Sequence, residues 1–322
     1  MSQDREILSI IIPAYNESGN IRRTAQVIRT VMTRENIPAA IYFVDDGSSD
    51  DTWEQINAAA AEWDMIRGVR FSRNFGKEAA ILAGLETAIG SCCAVMDCDL
   101  QHPVETLVEM YRLWENGFEV VEAVKEDRGR ESVFYKTMAK LFYKFMSAAV
   151  QIDMSKASDF KLLDRRAVDA LISLPERNTF FRALSSWVGF KTTAVGFQVR
   201  EREIGQTKWT TRKLIKYAVN NITSFTTAPL SLVVGLGLLF LLLAAILGVT
   251  CIVDYVTHRA LEGFTTVILV ELIIGAIVML SLGIIGRYIG KIYEEVKGRH
   301  RYIISRTIGL PSRKDNNAHD VL

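Results

Sequence analysis

The sequence has few of the residues that build metal modules or disulfide frameworks. It contains four cysteines and four histidines in 322 residues, and no cysteine has metal-site spacing with a histidine. Cys92, Cys93 and Cys98 lie in or beside one apolar segment, and Cys251 lies in another. We interpret them as reduced thiols that serve as small apolar residues, which argues against a disulfide-stabilised secreted domain.

Charge of one sign and targeting signals are also missing. Lys and Arg total 38 against 37 Asp and Glu, so the charge balance favours neither nucleic acid nor a strongly acidic partner. The first residues, MSQDREILSIII, are acidic where a signal peptide is basic, and their apolar run is too short. We therefore expect the N-terminal part to stay in the cytosol.

Glycine motifs for phosphates and dinucleotides are absent. No GxGxxG follows the first predicted strand, which argues against a dinucleotide-binding fold. Gly76-Lys77 has no upstream glycine at the spacing of a P-loop, so it is not one.

Two long apolar segments stand out near the C-terminus. The first covers about residues 229–253 without a charge, and the second covers about 264–286 with one charge, Glu271. Each is long enough to cross a bilayer, and a loop of about ten residues joins them. Basic residues flank the pair on both outer sides, which predicts a transmembrane hairpin with both termini in the cytoplasm. Glu271 is costly in lipid and would pair in an oligomer, mark a polar path or sit protonated.

Before these segments, strand and helix patterns alternate. Apolar runs predict strands at about 8–12, 41–44, 68–71, 92–96 and 118–124, with helices between them. This alternation indicates an α/β domain with a mostly parallel sheet. In such sheets ligands bind beyond the carboxyl ends of the strands.

Polar clusters occur where the predicted strands end. They are Tyr15 and Glu17, Asp45 and Asp46, Arg73 and Asn74, and Asp97 and Asp99. The segment DDGSSD taken alone is also a good turn and helix cap. The pair in VMDCDLQHP is more informative, because two like charges need a cation or a turn to offset their repulsion. Magnesium is commonly held by one or two carboxylates plus substrate phosphates, and Gln101 would add an amide oxygen.

Three further segments are ambiguous by themselves. Asp159 in SDFKLLDR is either a site residue or a simple cap or ion pair. The loop 200–209 is either solvated or a phosphate clamp that uses Arg202 and Lys208. Residues 133–150 predict an amphipathic helix that lies at the membrane interface or packs on the domain surface.

Taken together, the motifs resemble a known family. IIPAYNE, VDDGSSDDT, SRNFGKEAA, DCDLQHP, SDFKLLDR and EREIGQTKW, followed by two apolar spans, are similar to the GT-A-fold, family 2 polyprenyl-phosphate glycosyltransferases. The likeness is greatest to bactoprenol (undecaprenyl-phosphate) glucosyltransferases, with dolichyl-phosphate mannose synthases as more distant relatives. It covers roughly residues 6 to 305. Cys98 replaces the alanine that is common inside the DxD motif, and Gln206-Thr207-Lys208-Trp209 departs conservatively from the usual pattern.

The resemblance implies roles for matching positions. The catalytic residues would be Asp159 and Asp99. The residues that bind the nucleotide sugar would be Pro13, Tyr15, Glu17, Asp46, Arg73, Lys77 and Asp97. The metal ligands would be Asp97, Asp99 and Gln101, holding Mg²⁺ or Mn²⁺. The phosphate and lipid-phosphate ligands would be Arg128, Arg130, Arg202 and Lys208.

The implied reaction is an inverting transfer of a sugar, glucose from UDP-glucose first, to undecaprenyl phosphate at the inner (cytoplasmic) membrane. Another nucleotide sugar such as UDP-N-acetylglucosamine, and a non-catalytic membrane scaffold, stay open as alternatives. A processive synthase would normally have more spans and a Gln-x-x-Arg-Trp motif, which we do not find. We expect a cytosolic GT-A domain over 1–226, transmembrane helices within 227–290 and a cytosolic tail over 291–322. The resemblance also suggests a homotetramer and no nucleic-acid partner.

Overall fold

The computed structural model describes residues 8–125, 158–176, 180–198, 226–257 and 264–310. These residues form two compact units. The first contains the described residues up to 198 and from 300 onward, and the second contains those between 226 and 299. Arg128, Arg130, Arg202, Lys208 and the predicted amphipathic helix lie outside the described residues, so their roles stay predictions.

The first unit is built on an eight-stranded sheet within the described part of the chain. Its strands are β1 (Leu8–Ala14), β2 (Ala39–Asp45), β3 (Ile66–Phe71), β4 (Cys92–Val95), β5 (Val120–Lys125), β6 (Lys161–Asp164), β7 (Thr192–Phe197) and β8 (Ile304–Ile308). Its helices are α1 (Ser18–Arg34), α2 (Thr52–Glu62), α3 (Lys77–Thr87), α4 (Val104–Glu115), α5 (Arg165–Ile172) and α6 (Phe181–Trp187). The strand order is β7-β5-β6-β4-β1-β2-β3-β8.

The centre of the sheet is parallel and deeply buried. β1 lies between β2 and β4, with Ile10 opposite both Ile41 and Ala94. A strand covered on both faces has no solvent side, which explains why LSIIIPA is continuously apolar instead of alternating. The α/β prediction and the five predicted strands are confirmed, with ends that differ by a few residues.

The sheet changes direction of winding between β1 and β4. From β1 the chain proceeds outward through β2 and β3, and it then returns to place β4 on the other side of β1. Ligands of open α/β sheets bind at the carboxyl ends of strands at such a switch point. The loops after β1 and β4 carry Tyr15, Glu17, Asp97 and Asp99, so the fold places these residues at this position.

Two antiparallel strands were not predicted from the sequence. β6 inserts between β4 and β5, with Ala94 opposite Leu162. β8 pairs with β3 at the sheet edge, where Gly68 lies opposite Ile308 and leaves room for its side chain. The Tyr302 ring stacks on Phe71 with centroids 4.9 Å apart, so the segment after the apolar helices is an integral part of this unit.

The second unit contains two long apolar helices, α7 (Ala228–Val256) and α8 (Phe264–Val296). Stretches at Pro229–Thr250 and Ile273–Val296 are long and apolar enough to span a membrane, with mean hydropathies of 2.9 and 1.9, and neither is buried within the protein. The two helices could therefore form a transmembrane hairpin. α8 continues past the predicted end near residue 286, and Glu271 lies exposed on it.

Candidate active site

Four charged side chains form a continuous chain of contacts at the carboxyl edge of the sheet. The ammonium nitrogen of Lys77 lies 2.6 Å from Oδ1 of Asp97 and 2.9 Å from Oδ2 of Asp159. Arg182 binds the same Asp159 in a forked arrangement, with Nε 2.6 Å from Oδ1 and Nη2 2.9 Å from Oδ2. Residues from α3, the β4 loop, the segment before β6 and α6 therefore meet at one point.

Asp159 is the most enclosed member of this chain. Its side chain is 8% exposed, whereas those of Lys77 and Asp97 are 42% and 34% exposed. Burial would raise the pKa of Asp159, but the neighbouring Lys77 and Arg182 outweigh it and hold the pKa far below its ordinary value. Asp159 is consequently a fixed anion with both oxygens bound to cations, and it is a poor proton acceptor.

The pKa of Lys77 is shifted in the complementary direction. Burial opposes the charged ammonium, yet the carboxylates of Asp97 and Asp159 raise the pKa of Lys77 above its usual range. Burial likewise opposes ionisation of Asp97, while Lys77 lowers the pKa of that carboxyl. The cluster therefore stays ionised near neutral pH.

The loop before Lys77 is fixed by Asp46. This buried carboxylate at the end of β2 accepts hydrogen bonds from the backbone nitrogens of Phe75 at 2.6 Å and Gly76 at 2.9 Å. Gly76 has a φ of 104°, which side chains disfavour, and it directly precedes α3. Asp46 was predicted to bind nucleotide, and the structure gives it a role in shaping the loop that presents Lys77.

The DxD loop is held from inside the domain. Asp99 Oδ1 accepts a hydrogen bond from the Gln101 nitrogen at 3.2 Å, and the carbonyl of Cys98 accepts one from the Thr24 hydroxyl at 2.7 Å. Buried His102 accepts from the Asp97 nitrogen through Nδ1 at 3.4 Å and stacks on Phe160, with centroids 4.6 Å apart. The buried ring of His102 therefore supports the loop from inside the domain.

The loops after β1 and β2 are tied together. The Asn16 nitrogen donates to the Ser48 hydroxyl, and the Ser49 nitrogen donates to Asn16 Oδ1, both at 2.9 Å. The Glu17 nitrogen donates to the Thr52 hydroxyl at 2.9 Å. Tyr15 is left 42% exposed beside these bonds, so its ring can stack on a ligand.

The structure brings only part of the predicted set into direct contact. Lys77 contacts both Asp97 and Asp159, and Asp46 is connected to them through the loop before Lys77. Among the remaining described residues of the set, Pro13 lies in β1 just before its end and the others occupy loops that follow the strands. These remaining residues are Pro13, Tyr15, Glu17, Arg73, Asp99 and Gln101. The Arg73 guanidinium packs 4.0 Å from the Phe75 ring centroid, at the border of the same loop.

Three contributors to the site were missed. Arg182 comes from a segment with no motif, and only its three-dimensional contact with Asp159 identifies it. Glu78 and Lys161 stand beside predicted residues in SRNFGKEAA and SDFKLLDR. The only sequence signal for Glu78 and Lys161 was that each is a charged residue close to a predicted site residue. That signal alone does not indicate what the residue does.

The two carboxylates of the DxD loop are candidate metal ligands. In the described ranges no group of three or more His, Cys, Asp or Glu side chains converges as a metal site. Asp97 and Asp99 therefore offer two carboxylates, which is the protein contribution typical of a magnesium-like ion that completes its shell with substrate phosphates. The ammonium of Lys77 against Asp97 shows that this position attracts a cation. The donor set fits such an ion when a phosphorylated substrate is present.

Sequence comparison decides the family. The profile of glycosyl transferase family 2 matches residues 9–171, which contain the switch point and both aspartates of the DxD loop. This chain belongs to glycosyl transferase family 2. Its mixed α/β sheet is accordingly the GT-A fold.

Full-length relatives of this glycosyltransferase extend the match beyond the profile. It is 39% identical over 309 residues to CsbB of Bacillus subtilis, which is provisionally assigned as a glycosyltransferase. This alignment covers 95% of the present chain and 93% of CsbB. It is 35% identical over 301 residues to the prophage bactoprenol glucosyl transferase homolog of Escherichia coli, covering 93% of this chain and 98% of that protein. The aligned regions are long enough to include the apolar helices.

A solved structure resembles this glycosyltransferase less closely. Glucosyl-3-phosphoglycerate synthase from Mycobacterium tuberculosis, in complex with Mn²⁺, UDP and glucosyl-3-phosphoglycerate, is 18% identical and superposes with a TM-score of 0.48. The match covers 68% of this chain and 78% of that one.

Proposed function

We propose that this glycosyltransferase transfers glucose from UDP-glucose to undecaprenyl phosphate at the cytoplasmic face of the inner membrane. The observation that carries the proposal is the contact chain from Asp97 through Lys77 to Asp159 and Arg182. It places the ammonium of Lys77 between the DxD loop and an enclosed aspartate that also binds Arg182, and two cations at this point suit a reaction between two phosphate-bearing substrates. The homology to bactoprenol glucosyl transferases supports the choice of lipid and sugar.

The transfer is proposed as a single displacement. A phosphate oxygen of the acceptor forms a bond to the anomeric carbon, and the bond from that carbon to the UDP oxygen breaks. One displacement inverts the configuration, so an α-linked donor gives a β-linked lipid phosphate. A Mg²⁺ or Mn²⁺ ion at Asp97 and Asp99, with Gln101 beside them, would neutralise charge that grows on the departing diphosphate.

Asp159 is proposed to orient cations and not to remove a proton. Its depressed pKa makes it a weak base, and it has no oxygen that is free of a cation. No base is needed, because a phosphate monoester has a second pKa of about 6 and is largely ionised at neutral pH. Asp159 would hold Lys77 and Arg182 so that both face the incoming phosphate oxygens.

The nucleoside is proposed to bind at the loops after β1 and β2. Pro13, Tyr15 and Glu17 border this surface, and Asp46 and Arg73 shape its other side. An exposed aromatic ring beside backbone hydrogen-bonding groups suits a pyrimidine base. Arg128, Arg130, Arg202 and Lys208 would add phosphate contacts from outside the described residues.

Chain connectivity supports the membrane arrangement. β8 follows α8 in sequence and pairs with β3, so if α7 and α8 cross a membrane, residues 304–308 are on the same side of it as the rest of the sheet. A chain that leaves one side and returns to it crosses an even number of times, as a two-helix hairpin does. Together with the basic flanks, this favours cytoplasmic termini. A homotetramer stays a prediction.

A direct assay tests the function. Protein purified in detergent would be given undecaprenyl phosphate, Mg²⁺ or Mn²⁺, and labelled UDP-glucose, UDP-N-acetylglucosamine, UDP-galactose or GDP-mannose in separate reactions. We expect a labelled lipid from UDP-glucose that is β-linked by NMR, lost in Asp99→Asn and kept in Asp169→Asn, a surface control on α5. Product from another donor alone would refute glucose, and no product from any donor would favour the scaffold alternative.

A further inference from the structure

The helix α6 delivers Arg182 to Asp159 but is too short to hold itself in place. It spans seven residues, Phe181–Trp187, and isolated helices of this length are unstable in water. Arg182 makes a two-point contact whose geometry tolerates little movement, with bonds of 2.6 and 2.9 Å. Contacts from outside α6 must therefore fix the position of the guanidinium.

The first such contact comes from Glu78 at the start of α6. Its Oε2 accepts a hydrogen bond from the backbone nitrogen of Phe181 at 2.9 Å. Glu78 immediately follows Lys77 on α3, so one helical turn supplies a cation to Asp159 and an acceptor to α6. A movement of α3 would displace Lys77 and Arg182 together.

The second contact comes from Lys161 beneath α6. Its side chain is fully buried, and Nζ donates to the hydroxyls of Ser185 and Ser186, each at 2.9 Å, and to the carbonyl of Arg182 at 3.3 Å. Glu122 on β5 is its ion-pair partner. Lys161 lies two positions after Asp159, so the segment that carries the anion also holds the helix that carries its arginine.

These two contacts supply geometry more than stability. Enclosed ion pairs lose most of their Coulombic gain to desolvation, and apolar residues of similar size would often stabilise the fold as well. An ammonium that binds three oxygens of α6 instead fixes the rotation and height of that helix. Glu78 has the same effect, because its side chain accepts the hydrogen bond of the first backbone N–H of α6 and so fixes where that helix begins.

We infer that Glu78 and Lys161 are positioning residues, which act through α6 to hold Arg182 on Asp159 in the orientation required for phosphate binding. This inference rests on the proposed function, because the reaction gives Arg182 its purpose. Neither residue touches the reacting atoms. Each affects the rate of catalysis only through the position of Arg182, so its effect should vanish when Arg182 is removed.

A double-mutant cycle tests Glu78. In the labelled-lipid assay, Arg182→Ala should lower kcat by about 100-fold, since a misplaced site residue costs on that order. Glu78→Ala should lower kcat by about tenfold, yet Glu78→Ala/Arg182→Ala should be no slower than Arg182→Ala. Glu78→Gln keeps an acceptor oxygen for Phe181 and should restore most of the loss. Glu86→Ala, which removes an exposed glutamate from the same helix, should leave kcat unchanged.

A charge-balanced variant tests Lys161. Lys161→Met/Glu122→Gln removes both charges and leaves no uncompensated ion in the interior. We expect kcat to fall about tenfold with little change in KM for UDP-glucose, and the fall to disappear in the Arg182→Ala background. A wild-type kcat in this variant would overturn the part of the inference that concerns Lys161.

The outcomes separate the inference from the proposed function. If the wild type makes labelled lipid and the effects of Glu78→Ala and Arg182→Ala multiply to about 1,000-fold, the positioning role is wrong and the function stands. If the wild type makes no labelled lipid, the function fails, and hydrogen exchange of residues 180–188 decides the inference. Faster exchange in Glu78→Ala than in Glu86→Ala, at equal melting temperature, would support it. Equal exchange would refute it.

Discussion

Replacing Lys77 by methionine should make the nucleotide-free protein bind Mn²⁺ more tightly, although it should impair catalysis. In the wild type the ammonium of Lys77 lies 2.6 Å from Asp97, on the carboxylate that a metal ion would use. A metal ion must therefore either displace this ammonium or bind beside it. Methionine keeps the unbranched apolar side chain and removes the charge.

The size of the effect follows from Coulomb's law. Two unit charges about 4 Å apart interact by about 1 kcal/mol in water and about 4 kcal/mol at an effective dielectric constant near 20. The side chains of Lys77 and Asp97 are 42% and 34% exposed, so the value near that of water applies. A doubly charged ion doubles this value to about 2 kcal/mol, which corresponds to an affinity about 30-fold higher.

The assay is a Mn²⁺ titration followed by electron paramagnetic resonance, with and without UDP. Lys77→Met should bind Mn²⁺ about 30-fold more tightly than the wild type without UDP. With UDP the gain should shrink, because Lys77 can then move to the diphosphate and no longer opposes the metal. The control is Lys191→Met, which removes a lysine that lies at the edge of the sheet near Phe118. This variant should bind Mn²⁺ with the affinity of the wild type. Equal or weaker Mn²⁺ binding in Lys77→Met without UDP would refute the reasoning.

Three other predictions concern charge, pH and packing. Asp159→Asn should lower kcat by about 100-fold and change the affinity for Mn²⁺ and UDP by less than about threefold. A loss of affinity as large as the loss of kcat would mean instead that Asp159 binds the sugar donor directly. Burial and the neighbouring Asp159 raise the pKa of Glu78 from 4.5 to about 7, so the free energy of unfolding falls as the pH rises from about 4.5, where Glu78 ionises in the unfolded chain, to about 7, where it ionises in the folded protein. The melting temperature of Glu78→Gln relative to the wild type should accordingly rise between about pH 4.5 and pH 7 and level off above pH 7; a difference that is constant from pH 4.5 to 7 would contradict this. Gly84→Ala would place a methyl group 2.3 Å from Ile11 and should cost about 1–3 kcal/mol in denaturant unfolding, whereas Gly19→Ala, with open space around it, should not.

The parallel core was predictable because its signals are local. Each central strand is a short apolar run that ends in polar residues, and α1 and α4 between strands have the amphipathic periodicity of surface helices, which the buried α3 lacks. Asp97 could be singled out because it is one of two carboxylates at a strand end, whereas Asp159 was singled out through the likeness of SDFKLLDR to a family motif. Their connection through Lys77 is a consequence of the fold and could not be derived from the spacing alone.

The missed strands depend on long-range pairing. β6 is the short segment KLLD, and its place between β4 and β5 is set by partners far away in sequence. β7 and β8 are mostly exposed and lie at the two edges of the sheet, so neither has the apolar pattern of a buried strand. Arg182 was missed for a related reason, since its role depends on a tertiary contact and on no motif.

The late position of β8 has a consequence for how the protein is made. Ser305 bonds to the backbone of Arg70, which is 235 residues earlier in the chain, and the intervening chain includes both apolar helices. During synthesis β3 therefore remains an open edge until both helices have been translated, and open edges invite pairing with other chains. Completion of the catalytic domain thus follows the translation of both apolar helices, and a ribosome that stops before β8 leaves an enzyme with an unfinished sheet.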